Sequence, residues 1–219
     1  MPFNLTKKEL AIFRRLDSPR EIQNFIDKFP IKYEKRGETY MSPRRVLKTK
    51  KMHCMEGAVL AAAALWLNGE EPLLLDLKIK PGGRGHLAED HVVALYKRNG
   101  YWGAISKTNH ATLRFRDPIY KNLRELALSY FEDYFNFDGE KTLRGFTGPI
   151  DLSGFDAQNW MSTEENLFAI DDELFRKRKK VLLFPGSCEK HFASVAPVAM
   201  RAGELWMREK GLFEKAKSK

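Results

Sequence analysis

The sequence predicts an α+β fold in which a buried helix packs on an antiparallel sheet, with helical segments before and after this core. Residues 54–66 are apolar on nearly every helical face, which is typical of a helix buried on all sides. Residues 72–80 alternate in the manner of a strand, with four large residues on one face: Leu73, Leu75, Leu77 and Ile79. Asn99-Gly100 lies between two strand-like segments, 91–97 and 101–108, and is a strong β-hairpin signal.

The N-terminal flank, residues 1–40, carries two helix signals. Thr6 can cap a helix through Leu16, and Ser18-Pro19 supplies an N-cap and a first-turn proline for a second helix. The stretch 31–51 is polar and basic, so we expect loop or edge structure there. The buried helix then starts at Cys54, and Asn68-Gly69 ends it as a C-cap.

The predicted core spans residues 41–136, and a C-terminal extension covers 137–219. Asp117-Pro118 is expected to cap a long amphipathic helix through Phe135, with five inward residues: Leu123, Leu126, Ala127, Tyr130 and Tyr134. Residues 137–150 look turn-rich. Ser162 and Glu165 form a capping-box pattern before a further helix with Leu167, Ile170 and Leu174 inward. Residues 181–184 could be a last strand, and a C-terminal helix is expected to lead to a basic tail.

Length and composition favour one globular domain, residues 1–219, that is 43% hydrophobic and 12% aromatic. The longest apolar run, 58–67, has about half of the roughly 20 residues that a membrane span needs. The N-terminus lacks the apolar stretch of a secretory signal. We therefore expect a cytoplasmic protein without membrane contact, in which Cys54 and Cys188 are free thiols.

The net charge of +9 raises the possibility of a nucleic-acid surface. Lysine and arginine are, however, spread along the chain among 29 acidic residues, and only 176–180 forms a dense basic run. Such a run is usually a solvated helix end. Nucleic acid is therefore not the expected partner, and strongly salt-dependent binding would identify that alternative.

Cys54 is the first candidate for chemistry. A thiol at a helix N-terminus meets unpaired amide donors and the positive end of the helix dipole, which favour the thiolate. The residues on the same helical face are small, so a sheet could approach closely: Gly57, Ala58 and Ala61. The alternative is a buried cysteine that acts as a small hydrophobic residue.

His91 is the second candidate. With Asn99-Gly100 as the central turn residues, His91 pairs with Thr108, and Val93 pairs with Ser106. His91, Ser106 and Thr108 then share one face of the sheet, with a hydroxyl diagonal to the imidazole. The alternative is a strand-end histidine whose ring is satisfied by backbone groups.

Residues 52–109, about a quarter of the chain, resemble the transglutaminase-like superfamily, including uncharacterised bacterial transglutaminase-like proteins. The resemblance rests on the run from Cys54 through Leu73, on His91 in the following hairpin, and on the Gly100-Tyr101-Trp102 element. It implies a papain-like core with a Cys-His-Asp triad, in which Cys54 is the nucleophile and His91 the base. Where the family has Asp followed by Pro and Thr, this chain has Ser106-Lys107-Thr108, so Ser106 is the candidate orienting residue.

The function that this resemblance implies is thiol-dependent acyl transfer on a protein or peptide amide, by an amidase, peptidase or transglutaminase, without a cofactor. Aspartate would stabilise the imidazolium of the base, whereas serine orients it without supplying charge. The alternative is therefore a catalytically silent module of the same fold that binds a protein or peptide.

Other motifs carry weaker predictions. The loop 82–85 is glycine-rich but precedes a strand, so we expect a flap or connector and not a phosphate site. No metal site is expected, because the spacing of the candidate ligands matches no standard site: His53, His86, Glu89, Asp90 and His91. Cys188 and His191 form a second thiol–imidazole pair for which we expect a structural role. Arg114 and Arg116 could hold an anionic substrate or be solvated charges, and Asn109 lies on the face opposite His91.

Overall fold

A six-stranded sheet forms the centre of the protein in a computed structural model that describes residues 2–32, 39–80, 89–177 and 179–202. The strands are β1 (Leu73–Ile79), β2 (His91–Arg98), β3 (Tyr101–Ile105), β4 (Phe115–Tyr120), β5 (Leu143–Asp151) and β6 (Val181–Leu182). Their order across the sheet is β4-β3-β2-β1-β5-β6, and all neighbours are antiparallel. The predicted α+β class is therefore confirmed, and two of the strands come from the predicted C-terminal extension.

Six α-helices surround this sheet among the described residues. They are α1 (Lys7–Arg14), α2 (Pro19–Asp27), α3 (Pro43–Thr49), α4 (Cys54–Leu67), α5 (Leu123–Leu128) and α6 (Phe168–Asp171), the last continuing as a π-helix (Asp172–Lys177). The predicted caps of the first two helices are confirmed. The Thr6 hydroxyl accepts the Glu9 N–H while Glu9 accepts the Thr6 N–H, and the Ser18 hydroxyl accepts the Glu21 N–H.

Helix α4 is the buried helix that its composition predicts. It packs on β1 and β2, and α1, α2 and α3 cover its other sides. Its middle residues, Ala58 to Ala64, have no exposed surface. The side-chain amide of Asn68 ends the helix by donating to the carbonyls of Ala64 at 2.8 Å and Leu16 at 2.9 Å. The same side chain thereby ties the end of α4 to the chain leaving α1.

The hairpin between β2 and β3 has the predicted turn and register. Asn99 and Gly100 both have positive φ, 51° and 86°, as a two-residue hairpin turn of this sequence requires. Pairing runs from Arg98 with Tyr101 to Ala94 with Ile105. Beyond Ile105 the ladder stops, so the predicted pairings of Val93 with Ser106 and of His91 with Thr108 are not formed.

Both faces of the sheet are covered. The face that we call the α4 face packs against α4 and α6, with Leu74, Val92, Ala94, Ile105 and Ile150 in that core. The opposite face, called the α5 face, packs against α5 and the turns after it, with Leu75, Leu77, Val93, Leu95 and Ala104 inward. A charged residue in the middle of a central strand, such as Asp76 of β1, is therefore a buried charge.

The prediction of loop or edge structure over 31–51 is wrong for its last third. Helix α3 forms there, begun by Ser42-Pro43 in the same way that Ser18-Pro19 begins α2. Only three of its residues are buried, Pro43, Val46 and Leu47, so the apolar periodicity was too short to indicate a helix. The part of this prediction that falls on residues 33–38 lies outside the described residues.

The single long helix predicted from Asp117 to Phe135 is also wrong. Asp117 and Pro118 lie in β4, an edge strand, where proline is tolerated because one side of the strand makes no ladder hydrogen bonds. The Asn122 side chain accepts the Glu125 N–H at 2.9 Å and starts the shorter α5 instead. Four of the five expected inward residues are nevertheless buried, because the turns after α5 keep them on the same side: Leu126, Ala127, Tyr130 and Tyr134. The fifth, Leu123, is only partly buried.

Two predictions in the C-terminal extension fail, one of them in part, for local reasons. Residues 137–139 form a turn as predicted, but residues 143–150 belong to β5, whose glycines suggested turns. A Cβ on Gly145 would lie 2.5 Å from the Val181 carbonyl oxygen, so that glycine serves strand packing. The Ser162–Glu165 capping box does not form, because the Ser162 hydroxyl donates to the Phe3 carbonyl and Thr163 accepts the Glu165 N–H.

The last predicted elements are partly described. Strand β6 forms within 181–184, and residues 197–202 begin a helix whose predicted continuation, 203–219, lies outside the described residues. Within the described parts of the chain, no helix combines the length and apolar character needed to cross a membrane.

Candidate active site at the start of helix α4

Cys54 occupies the first position of α4, next to the beginning of β2. Its sulfur accepts hydrogen bonds from the backbone N–H groups of Val92 and Met55. Strands β2 and β3 are not paired at this point: their ladder starts only at Ala94 and Ile105. The helix start therefore reaches the sheet where the backbone of β2 is not paired with β3.

A buried ion pair anchors this helix start. Glu56 is 1% exposed, and its carboxylate pairs with the Lys32 ammonium while accepting the Met41 N–H at 2.9 Å. The other carboxylate oxygen accepts the His53 N–H at 3.0 Å, which occupies one of the donors left open at a helix N-terminus. Glu56 thus joins the segments on both sides of residues 33–38 to the residue that precedes Cys54.

The small residues beside Cys54 allow the close approach that the sequence predicts. A Cβ added to Gly57 would lie 2.3 Å from the Cβ of Lys107, in the segment that follows β3. Lys107 is itself 3% exposed, and its ammonium donates to the carbonyls of Ile26 at 3.0 Å and of Phe29, capping the end of α2. Gly57 and Lys107 therefore hold the chain after β3 against α4, one turn beyond Cys54.

The surroundings of Cys54 raise the pKa of its thiol to about 12. Burial is the largest cause, and the negative charges of Asp76 and Glu89 add to it, while the N–H groups of Val92 and Met55 act in the opposite direction. The helix N-terminus alone would lower the pKa of this thiol, so the observed direction is opposite to that expectation. The residue keeps some exposed surface, but its thiol holds its proton at neutral pH.

His91 begins β2 and immediately precedes Val92. It is 6% exposed and pairs across the sheet with Leu77, a residue of the α5 face. Strand alternation therefore places His91 on the α5 face, whereas α4 lies on the other side. Cys54 and His91 therefore lie at the start of β2 on opposite faces of the sheet.

Ser106 lies just past the end of β3 and is fully buried. Its hydroxyl donates to the Leu113 carbonyl at 2.7 Å. The Gln23 side chain brackets the Ser106 backbone, accepting its N–H at 3.1 Å and donating to its carbonyl at 3.0 Å. These bonds fix the chain after β3 to α2, and the hydroxyl proton of Ser106 is engaged by Leu113.

A buried carboxyl that the sequence analysis did not single out lies beside this site. Asp76 is fully buried in β1, on the α4 face, and pairs across the sheet with Val92. Its Oδ2 is 2.5 Å from the Lys78 ammonium, which also lies 2.7 Å from Asp90. Burial is the main cause that raises the pKa of Asp76 to about 7, and the charge of Asp90 adds to the rise.

One sequence signal could have identified Asp76. It is the one acid in the otherwise apolar stretch Leu73-Leu74-Leu75-Asp76-Leu77. The alternation of Leu73, Leu75, Leu77 and Ile79 indicates one buried face of this strand and does not describe the face that carries Asp76. Because the sheet is covered on both sides, an isolated acid in a central strand indicates a buried carboxyl.

The remaining candidates lie elsewhere or outside the described residues. Cys188 and His191 lie in a 3₁₀ helix (Gly186–His191) after β6, on the C-terminal segment. Arg116 stacks on the Tyr130 ring with 4.0 Å between guanidinium carbon and ring centre, and Arg114 lies 3.7 Å from Asp27, so both have internal partners. Asn109 is buried in the segment after β3.

No cluster of three or more histidine, cysteine or acidic side chains suited to a metal ion occurs among the described residues. Residue His86, considered above as a candidate metal ligand, and the loop 82–85 fall in the undescribed stretch 81–88, and Arg178 of the basic run is likewise outside the described part.

Comparison with known proteins does not assign a family. No protein-family model matches the sequence, and no curated protein matches it significantly.

Proposed function

We propose that the protein catalyses thiol-dependent acyl transfer on a protein or peptide amide, with Cys54 as nucleophile and His91 as base. The observation that carries the proposal is the hydrogen bond from the Val92 N–H to the Cys54 sulfur. It joins the first residue of α4 to the residue next to His91, and this adjacency supports the proposed pair. The transglutaminase-like resemblance of residues 52–109 supports the same pair.

The raised pKa of Cys54 determines the order of proton transfer in this proposal. Because the resting thiol is protonated, its proton must leave as the sulfur attacks the substrate carbonyl. His91 takes this proton while the S–C bond forms, and then gives it to the departing amine as the C–N bond breaks. Water or a second amine attacks the resulting thioester, returns the acyl group to solution or to a new amide, and restores the thiol.

Ser106 has a modest part in this proposal. Its hydroxyl donates a hydrogen bond to the Leu113 carbonyl, so a hydrogen bond between Ser106 and His91 would use the lone pairs of the Ser106 oxygen and not its proton. Ser106 therefore supplies no negative charge to stabilise the imidazolium of His91.

The proposal is tested with p-nitrophenyl acetate as an activated acyl donor and mass spectrometry of the intact and digested protein. We expect an acetyl group on Cys54, released slowly by water and faster by an added primary amine. Cys54→Ala abolishes this acylation, and His91→Ala slows it by roughly 10²–10⁴, the usual contribution of a general base. Cys188→Ala is the matched control and retains the wild-type rate.

A second candidate function, a silent module that binds a protein or peptide, is favoured by the high pKa of Cys54 and the engaged Ser106 hydroxyl. It predicts that folded wild-type protein and His91→Ala acylate at the same slow rate. Either that result or preferential acylation of Cys188 would reject the enzyme hypothesis in favour of the binding module.

A further inference from the structure

The α6 segment, defined as residues 168–175, packs on the face of the sheet that carries Asp76. Its buried residues Ile170 and Leu174 belong to the same core as Leu74, which shares a strand face with Asp76. Asp76 is the one fully buried acid in the described part of the sheet. The α6 segment therefore helps to keep this carboxyl away from water.

Two side-chain contacts join the α6 segment to the immediate neighbours of Asp76. Thr147 of β5 pairs across the sheet with Asp76, and its hydroxyl donates to the Leu174 carbonyl at 3.0 Å. On the other side, the Lys78 ammonium lies 2.5 Å from Asp76 Oδ2 and 4.4 Å from the centre of the Phe175 ring. Both contacts that hold the segment down are thus made by residues that adjoin the buried carboxyl.

The carboxyl of Asp76 is poorly compensated when it is ionised. Its Oδ1 is fully buried and has no hydrogen-bond donor among the residues that the structure describes. The Lys78 ammonium is shared with Asp90, whose Oδ2 lies 2.7 Å away, so one cation serves two carboxylates. Other titratable groups face this cluster from the neighbouring elements: Cys54 on α4, Asp171, Asp172 and Glu173 on the α6 segment, Glu89 before β2, Tyr134 after α5 and Lys180 before β6.

We propose that the α6 segment is a pH-sensitive lid over Asp76, closed while this carboxyl is protonated and opening more readily once it is ionised. Opening hydrates the Asp76 carboxylate and leaves Lys78 paired with Asp90. The segment opens in preference to α4, because α6 has four residues whereas α4 has 14 and is enclosed on all sides. Short elements with few buried contacts are the ones that open locally in native proteins.

The pH range of the lid follows from the ionisation of Asp76. Burial and the charge of Asp90 raise the pKa of Asp76 to about 7, whereas the ordinary value of such a carboxyl is 3.8. An open state, in which water reaches the carboxyl, therefore loses its proton at lower pH than the closed state does. The free energy needed to open the lid consequently falls as the pH rises from about 4 to 7 and is level above that range.

The lid also borders the candidate active site. The Phe168 ring lies 5.7 Å from the Tyr40 ring, and the Tyr40 ring lies 5.8 Å from the ring of His53, the residue before Cys54. Opening of the lid removes Phe168 from this aromatic row and changes access to the start of α4. Only this consequence rests on the proposed function, since the lid itself requires no acyl transfer.

The test is amide hydrogen exchange of the folded wild-type protein from pH 5 to 8, followed by mass spectrometry of peptides from the α6 segment. After correction for the intrinsic pH dependence of exchange, protection should fall roughly tenfold per pH unit between pH 5 and 6.5 and level off above about pH 7.5. Asp76→Asn should give one protection value throughout this range. Phe175→Leu, the matched variant of the contact with Lys78, should lower protection at every pH and keep the wild-type slope.

Peptides from α4 are the internal reference, because they exchange through global unfolding. The inference is overturned if the α6 segment exchanges as slowly as α4, or if its wild-type protection is the same at pH 5 and pH 7. A wild-type slope in folded Asp76→Asn protein overturns it as well. Loss of acyl transfer in a protein whose lid keeps its pH dependence would instead reject the proposed function alone.

Discussion

Gly57→Ala tests the close packing that holds the chain after β3 beside Cys54. The added Cβ would lie 2.3 Å from the Lys107 Cβ, 3.2 Å from its Cγ and 3.2 Å from the Met52 sulfur. Ordinary contacts between such atoms begin near 3.4 Å, so one segment must move by about 1 Å. Lys107 cannot move easily, because its ammonium is bonded to the end of α2 at Ile26 and Phe29.

Two effects of opposite sign determine the magnitude of this substitution. Alanine in place of glycine inside a helix gains about 1 kcal/mol from propensity. Overpacking of a rigid core costs about 1–3 kcal/mol, and the contact with Lys107 is at the Cβ, close to the backbone, where relief is smallest. We expect a net loss of about 1–2 kcal/mol in the free energy of unfolding, or roughly 2–8 °C in the melting temperature for a chain of this size.

The assay is urea unfolding followed by circular dichroism, with Gly154→Ala as the matched control. A Cβ on Gly154 meets nothing within 4 Å, so this variant should unfold within about 0.5 kcal/mol of wild type. If Gly57→Ala is as stable as wild type or more stable, the close approach of Lys107 to α4 is not a constraint and the packing argument is refuted.

Three further predictions concern charged groups. Arg44 holds the pKa of Glu9 at about 2. Glu9 therefore contributes stability above about pH 4.5 that is lost as the pH falls toward 2. The Glu9→Gln protein should lack this acid dependence in urea titrations at pH 2–6. Asp76, with its pKa raised to about 7, keeps a proton in the folded state that the unfolded chain releases near 3.8. Stability should therefore fall as pH rises from 4 to 7, and Asp76→Asn should remove that slope in the same titration. Lys32→Met leaves Glu56 buried without its cation and should lower stability by about 3–5 kcal/mol in thermal unfolding, whereas an unchanged melting temperature would contradict the role of the pair.

The parts of the fold that the sequence predicts correctly are those where local signals agree with the tertiary environment. Helix α4 is apolar on all sides and is buried on all sides, and the Asn99-Gly100 turn sets the hairpin register. The errors occur where a signal for one structure serves another purpose. Pro118 marks an edge strand instead of a helix start, and Gly145 makes room for β6 instead of a turn.

The candidate site was only partly accessible to sequence analysis for a different reason. Alternation along β2 indicates which residues share a face, but it does not say that α4 covers the other face. The sequence predicts Ser106 in an extended β3, whereas β3 ends at Ile105 and Gln23 of α2 binds the Ser106 backbone. The burial of Asp76 depends on α4 and α6 covering its face of the sheet, which the residues of β1 alone do not indicate.

The reactivity of Cys54 depends on which of two physical effects is larger. A helix N-terminus stabilises an anion by about 0.3–1 kcal/mol, and up to about 2 kcal/mol in a partly buried site. Burial can raise a pKa by as much as about 3–5 units, with each unit worth about 1.4 kcal/mol, and two carboxylates act in the same direction here. Burial therefore outweighs the helix at this site, and a thiolate is not preformed. It follows that a base must remove the proton during attack. Substitution of His91 should then slow acyl transfer far more than it slows alkylation at high pH, where hydroxide itself supplies the thiolate.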